Sequence, residues 1–112
     1  MKKNFYTVIL QSQLGPRVGK LLLQEEAGIV SGELYLLGQK NRFSGSVLQN
    51  GKYLISGVLR ARGEKVPYDA IFSLRQGRLT GGLVTRYGCW DFTGAKAADA
   101  SREAGRTAVV NG

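Results

Sequence analysis

A small residue placed between two apolar residues recurs along the chain as the pattern apolar–x–Gly–x–apolar. Clear copies are Val30-Ser31-Gly32-Glu33-Leu34 and Ile55-Ser56-Gly57-Val58-Leu59. Counting one alanine variant and partial copies at each end, the small residues occupy positions 19, 32, 45, 57, 70, 81 and 94. The successive gaps are 13, 13, 12, 13, 11 and 13 residues. Such a regular interval predicts a series of similar structural units.

Within each unit apolar and polar residues alternate, which is the period of a half-buried β-strand. Between Lys52 and Arg62, for example, Tyr53, Ile55 and Leu59 share one face. A strand of about nine residues followed by a turn of three or four accounts for the interval. Asn50-Gly51 is a strong signal for a two-residue hairpin turn, and Gln76-Gly77 is a weaker one. The pattern predicts an all-β, up-and-down antiparallel meander of seven or eight strands.

A meander of this kind must cover both its edges and its apolar face. An open sheet would leave two exposed strand edges. Residues 95–112 are the only available cover, and Val109 and Val110 are their only sizeable apolar residues. Closure into a barrel removes the edges. We therefore expect a small, closed or nearly closed barrel domain at residues 1–95, followed by a short flexible or weakly helical tail at 96–112. Homodimerisation through the sheet face is the alternative.

The repeated small residues have a structural interpretation. Because strand direction reverses at every turn, a constant interval predicts that they lie near mid-strand, as a belt at one height. Glycine inside a strand costs about 0.5–1 kcal/mol relative to alanine, but it lets strands coil sharply around a narrow barrel. It also leaves room for aromatic rings in the lumen, and the candidates for this role are Tyr53, Tyr68, Phe72 and Trp90. The alternative is that the belt forms the floor of a ligand-binding lumen.

Two known architectures share features with this pattern. The glycine-punctuated hairpins are similar to MORN repeats, and the meander resembles calycin-type barrels. MORN arrays have a longer, two-strand repeat with aromatic residues at fixed offsets that this sequence lacks. These resemblances concern architecture and imply no function.

Residues suited to catalysis are few. The chain has no histidine, which removes the commonest general base and metal ligand. Its one cysteine, Cys89, has no second thiol for a zinc or redox site, and beside Trp90 it is expected to be partly buried. The acidic residues are scattered, and no glycine spacing matches a nucleotide-binding loop. We therefore expect a non-enzymatic protein with no catalytic residues, no metal site and no cofactor.

Cysteine content and hydropathy suggest a location. A small domain with one cysteine is typical of a reducing compartment. The apolar stretch after Met1 is interrupted at Gln11, too early for a signal peptide. No segment approaches the roughly 20 apolar residues of a transmembrane helix. The expected location is the cytoplasm, without membrane insertion.

Positive charge is the remaining feature. The chain has 16 Lys and Arg against 8 Asp and Glu, a net charge of +8. Strand parity predicts that six arginines project from the polar face of neighbouring strands as one patch: Arg42, Arg60, Arg62, Arg75, Arg78 and Arg86. Arginine binds carboxylate and phosphate groups in a bidentate manner. The alternative is an ordinary solvated surface.

Together these features predict a small β-barrel binding module whose arginine-rich outer face contacts an anionic macromolecule. An acidic protein surface is favoured over nucleic acid, because Tyr35 and Tyr87 are the only outward aromatic candidates for base stacking. One alternative is a nucleic-acid-binding barrel that uses phosphate contacts alone. The other is a small-molecule carrier that uses the lumen.

Overall fold

Eight antiparallel strands form a closed barrel in a computed structural model that describes residues 2–13, 15–61 and 63–97. The strands are β1 (Lys2–Ser12), β2 (Gly15–Glu26), β3 (Ile29–Leu36), β4 (Gln39–Val47), β5 (Tyr53–Ala61), β6 (Glu64–Arg75), β7 (Arg78–Thr85) and β8 (Gly88–Lys96). Each strand pairs with its neighbour in sequence. Pairing of β1 with β8, from Tyr6↔Lys96 to Leu10↔Phe92, closes the barrel.

This architecture confirms the predicted all-β meander and its closure. The last strand ends at Lys96, next to the predicted domain boundary. The predicted tail lies almost entirely outside the described residues. No helix of the described chain is long and apolar enough to cross a membrane.

Tight turns connect several of the strands. Positive φ at both central residues marks two-residue hairpin turns at Ala27-Gly28, Leu37-Gly38 and Gln76-Gly77. The predicted two-residue turn at Asn50-Gly51 is wrong. Those residues belong to a five-residue connection, 48–52, in which the Gly51 amide donates to the Leu48 carbonyl oxygen at 3.0 Å.

Apolar side chains fill the interior of the barrel. Every strand contributes alternate residues, and the most deeply buried large side chains include Leu21, Leu34, Phe72 and Phe92. An eight-stranded barrel has an interior about wide enough for side chains alone. Within the described residues the barrel buries the apolar face of every strand against the other strands.

The repeated small residues face inward and alternate with large ones. Gly57 pairs with Phe43 on one side and Tyr68 on the other. Gly81 likewise pairs with Phe72 and Phe92. The glycines of adjacent strands are therefore diagonal neighbours, offset along the strands, and not at one height as the regular interval suggested. Because of this offset, a larger side chain lies opposite each small residue.

Close approach of neighbouring backbones explains why several of these positions are glycine. A Cβ atom on Gly32 would overlap the Leu22 carbonyl oxygen, and one on Gly45 would overlap the Leu54 carbonyl oxygen. At Gly57 a Cβ would lie 2.7 Å from the Tyr68 hydroxyl oxygen and 2.9 Å from the Arg42 carbonyl oxygen, so an aromatic side chain and the backbone both approach closely. The small residues thus serve strand curvature and aromatic packing, which was the structural interpretation of the belt.

Substitution of Gly45 tests this role of close backbone approach. In Gly45→Ala the new methyl group meets the Leu54 carbonyl oxygen and lies 2.8 Å from the Ile55 Cα atom. Because both contacts are backbone, the strands must separate. We expect the free energy of unfolding to fall by about 3 kcal/mol, measured by urea denaturation.

The matched control is Gly82→Ala on β7, which pairs with β6 and β8. A Cβ there meets nothing closer than the Cys89 Sγ atom at 3.5 Å, which is ordinary contact. Its stability should stay the same or rise by about 0.5 kcal/mol. Equal effects at the two positions would contradict the role assigned to the close approach.

Candidate interaction surface

The predicted arginines fall into two groups on the outer surface. We call the end of the barrel with the β1–β2, β3–β4, β5–β6 and β7–β8 connections the upper end. Arg60 and Arg86 lie towards this end, with Arg42 nearby on β4, whereas Arg75 and Arg78 flank the β6–β7 turn at the lower end. Lys65, which pairs with Arg60, is ten residues from Arg75 along β6, or about 33 Å at the usual strand rise.

The single patch expected from parity is therefore divided along the barrel axis. Parity fixes which face a residue occupies, whereas register fixes its height, and the arginines differ in height. Arg62 lies outside the described residues.

Arg86 is already engaged within the upper group. Its guanidinium forms an ion pair with Glu64, donates to the Lys65 carbonyl oxygen at 3.2 Å, and lies 5.2 Å from the Tyr87 ring centre. The Tyr87 hydroxyl also donates to the Glu64 Oε1 atom. These donors, Tyr87 first and Arg86 second, lower the pKa of Glu64. The cluster ties the β7–β8 turn to the β5–β6 hairpin.

The other cations on these strands face like charges. Arg60 is directly opposite Lys65, and Arg75 is directly opposite Arg78. Within the described part of the chain none of the four has an ion-pair partner. Like charges opposite each other on antiparallel strands destabilise the sheet. An anionic partner placed against either pair would remove that repulsion.

Apolar side chains lie between the two charged groups. Val58 pairs with Pro67, and Leu54 pairs with Ile71. Ile71 is 45% exposed and Val84, on the adjacent strand, is 48% exposed. Asp69, in the middle, accepts a hydrogen bond from the Ser56 hydroxyl. We call this surface the β5–β7 face; its members are Leu54, Val58, Arg60, Lys65, Pro67, Asp69, Ile71, Arg75, Arg78 and Val84.

Sequence reasoning did not single out the apolar centre of this face. The signal was present, because Leu54 and Val58 occupy polar-parity positions of β5. Scattered exposed apolar residues are normal on proteins. Only the strand register brings these particular residues together across three strands.

The aromatic residues predicted for the lumen are all inward. Phe72 and Tyr68 are buried, whereas Tyr53 and Trp90 are half-buried near opposite ends. The Tyr53 ring stacks on Phe72 at 5.4 Å between centres, and Phe72 meets the edge of Phe92 at 6.3 Å. These rings fill the space that a lumenal ligand would need, so the geometry gives the carrier alternative no support.

A polar group caps the lower end of this aromatic stack. The Tyr53 hydroxyl donates to the Glu25 Oε1 atom at 2.8 Å. Burial, followed by this hydrogen bond and the carboxylate charge, raises the pKa of Tyr53 to about 12. Burial and Glu25 also raise the pKa of Tyr6. The contact secures the mouth of the barrel and leaves Glu25 committed to a structural role.

Cys89 is exposed, which corrects the expectation of partial burial. It lies on the outer parity of β8, opposite Val84, whereas the next residue, Trp90, faces inward. Within the described residues, no three Asp, Glu, Cys or His side chains form a group able to hold a metal ion.

Comparisons with known proteins give no family assignment. No protein-family model matches the sequence, and no curated protein matches it significantly.

Replacing Arg75 tests the repulsion at the β6–β7 turn. In Arg75→Glu the like-charge pair becomes an opposite-charge pair with Arg78. We expect the free energy of unfolding to rise by about 0.2–1 kcal/mol, and the gain to shrink in high salt because exposed charges are screened. Urea denaturation at low and high salt measures both effects. The free energy of unfolding of the neutral control Arg75→Gln should lie between those of the wild type and Arg75→Glu. A loss of stability in Arg75→Glu would refute the repulsion.

The pKa of Tyr53 predicts sensitivity to alkali. Unfolded tyrosine ionises near pH 10, whereas folded Tyr53 keeps its proton until about pH 12. At a pH between these two pKa values, unfolding releases the Tyr53 proton. The contribution of Tyr53 to stability is therefore complete below pH 10 and is lost as pH rises. Tyr53→Phe keeps the ring and removes this contribution. Its unfolding free energy should fall less than that of the wild type between about pH 8 and pH 11, and an equal fall would exclude a contribution from Tyr53.

Proposed function

We propose that this barrel is a non-enzymatic binding module whose β5–β7 face contacts an acidic protein surface. The observation that carries the proposal is an exposed apolar centre with like-charged cation pairs at both ends. Arg60 and Lys65 lie above this centre, and Arg75 and Arg78 lie below it. Protein interfaces commonly combine an apolar core with a polar rim.

The apolar centre favours protein over nucleic acid as the partner. Val58, Ile71 and Val84 would gain from burial against an apolar surface, whereas a phosphate backbone offers them nothing. The outward aromatic residues are also poorly placed for stacking on bases. Tyr35 and Tyr87 both donate their hydroxyl groups to carboxylates, Glu33 and Glu64 respectively, and these carboxylates would repel a phosphate chain.

Four of the six carboxylates in the described part of the chain are engaged by neighbouring side chains, which favours a non-enzymatic role. Glu25 accepts from Tyr53, and Asp69 accepts from Ser56. Glu33 and Glu64 form ion pairs with Lys40 and Arg86. Each is held by a structural neighbour, and general acid–base catalysis needs groups aimed at a substrate. Binding is the function that the outer surface supports.

The test is a pull-down from a nuclease-treated and an untreated cytosolic lysate with the full chain as bait. Two variants alter the β5–β7 face, Arg60→Glu in its charge and Ile71→Ser in its apolar centre. Two matched controls make the same changes elsewhere, Lys3→Glu on β1 and Ile29→Ser on β3, where both residues are exposed. All four residues lie on the outer surface, so folding should be retained.

We expect a protein partner to be captured from both lysates by the wild type and by the two controls. Capture should fall about tenfold with either face variant, because Ile71→Ser removes a central apolar contact and Arg60→Glu places a like charge against the acidic partner. Equal capture by all five proteins would refute the assignment of this face. Capture that disappears after nuclease treatment would favour the nucleic-acid alternative instead.

A further inference from the structure

The upper part of β2 has an unpaired edge. Residues 15–19 pair with β1 on one side, whereas pairing with β3 begins only at Lys20↔Tyr35. The β3 strand ends at Leu36 and turns back through Leu37 and Gly38. The β1–β2 hairpin therefore extends past its neighbour. On its free edge Pro16 has no N–H and Gly19 packs against the Tyr35 carbonyl group, so an added strand would pair at Val18.

A cleft of about 550 Å³ opens beside this edge. Its lining includes Val18, Tyr35, Leu36 and Leu37, together with Thr7 of β1. Val18 is 68% exposed and Leu37 is 45% exposed. Ligand clefts typically measure about 300–1,000 Å³ and are mostly apolar. The cleft thus combines a free strand edge with exposed apolar side chains.

Leu37 has an unfavourable position for a leucine. It occupies the first central position of a two-residue turn with φ of 57°, where asparagine, aspartate or glycine is usual. A side chain in this left-handed region is strained. The same residue is exposed to water and lines the cleft. An apolar contact with a partner would account for leucine at a position where the fold alone favours asparagine.

The charges around the cleft indicate the chemistry of its occupant. Lys20 and Lys40 both line it. Lys40 pairs with Glu33 at 3.8 Å, whereas Lys20 has no ion-pair partner within the described residues. A second copy docked symmetrically through this cleft would bring these lysines against each other, so that arrangement is disfavoured. A segment that carries carboxylates would complement them.

We propose that this cleft binds an extended peptide segment in which apolar residues alternate with carboxylates, as a strand added to the free edge of β2. Main-chain hydrogen bonds at Val18 would align the segment with the edge, the apolar cleft would supply affinity, and Lys20 would supply specificity for carboxylates. The site is separate from the β5–β7 face. The proposal of a peptide-binding cleft is independent of whether the β5–β7 face binds a protein.

The probe is a short fluorescein-labelled peptide of alternating valine and glutamate, titrated with the full chain and followed by fluorescence polarisation. The comparison peptide has lysine in place of glutamate. The informative variant is Leu37→Asn, which removes the apolar contact and suits the turn. Ala27→Asn is the matched control, because Ala27 has φ of 54° in the equivalent turn at the opposite end of the barrel.

We expect saturable binding of the glutamate peptide and much weaker binding of the lysine peptide. Leu37→Asn should lower the affinity about tenfold while its melting temperature stays the same or rises. Ala27→Asn should bind like the wild type. In amide NMR spectra the largest shifts on binding should fall on Val18 and Gly19.

Three results would overturn the proposal. These are absence of saturable binding of the glutamate peptide, unchanged affinity in Leu37→Asn, and amide shifts located on β5–β7 instead of β2. Because Leu37→Asn is expected to fold at least as well as the wild type, lost affinity in that variant reports on the cleft. A lower melting temperature in Leu37→Asn would contradict the strain assigned to Leu37.

Discussion

The contact between a glycine and the carbonyl group of the neighbouring strand determines the shape of this barrel. Eight short strands close on themselves only by coiling strongly. At Gly32 and Gly45 the adjacent backbone comes so near that no Cβ atom fits. Curvature is therefore concentrated at the small residues. The packing and the surface depend on this constraint.

One consequence is the order inside the lumen. Each glycine pairs with a larger residue on a neighbouring strand. The rings and branched side chains of the core therefore fill the space that the glycines leave. Tyr68 lies against Gly57, and Phe72 lies against Gly81. The aromatic residues therefore belong to the architecture of the barrel. The recognition that we propose therefore falls to the outer surface.

Much of the fold could be predicted from the sequence, because strand period and glycine interval are local properties. The turn at Asn50-Gly51 could not, since hydrogen bonds among residues 48–52 favour a longer connection. For the candidate surface, the sequence predicted which side chains point outward but not how far along the barrel axis they lie. Arg60 and Arg75 share the outer parity, but their heights depend on register across several strands. The cleft beside Val18 arises because two hairpins differ in length, which periodicity does not reveal.

The seam between β1 and β8 has a consequence for folding kinetics. All the other strand pairs join neighbours in sequence, so they form as local hairpins with a small loop-closure cost. The seam joins Tyr6 to Lys96 across nearly the whole folded chain. Its five residue pairs are expected to form last, after the meander has already curled. The open meander that precedes closure exposes the edges of β1 and β8. An exchange of terminal strands between two molecules at that stage would give a domain-swapped dimer without any new interface.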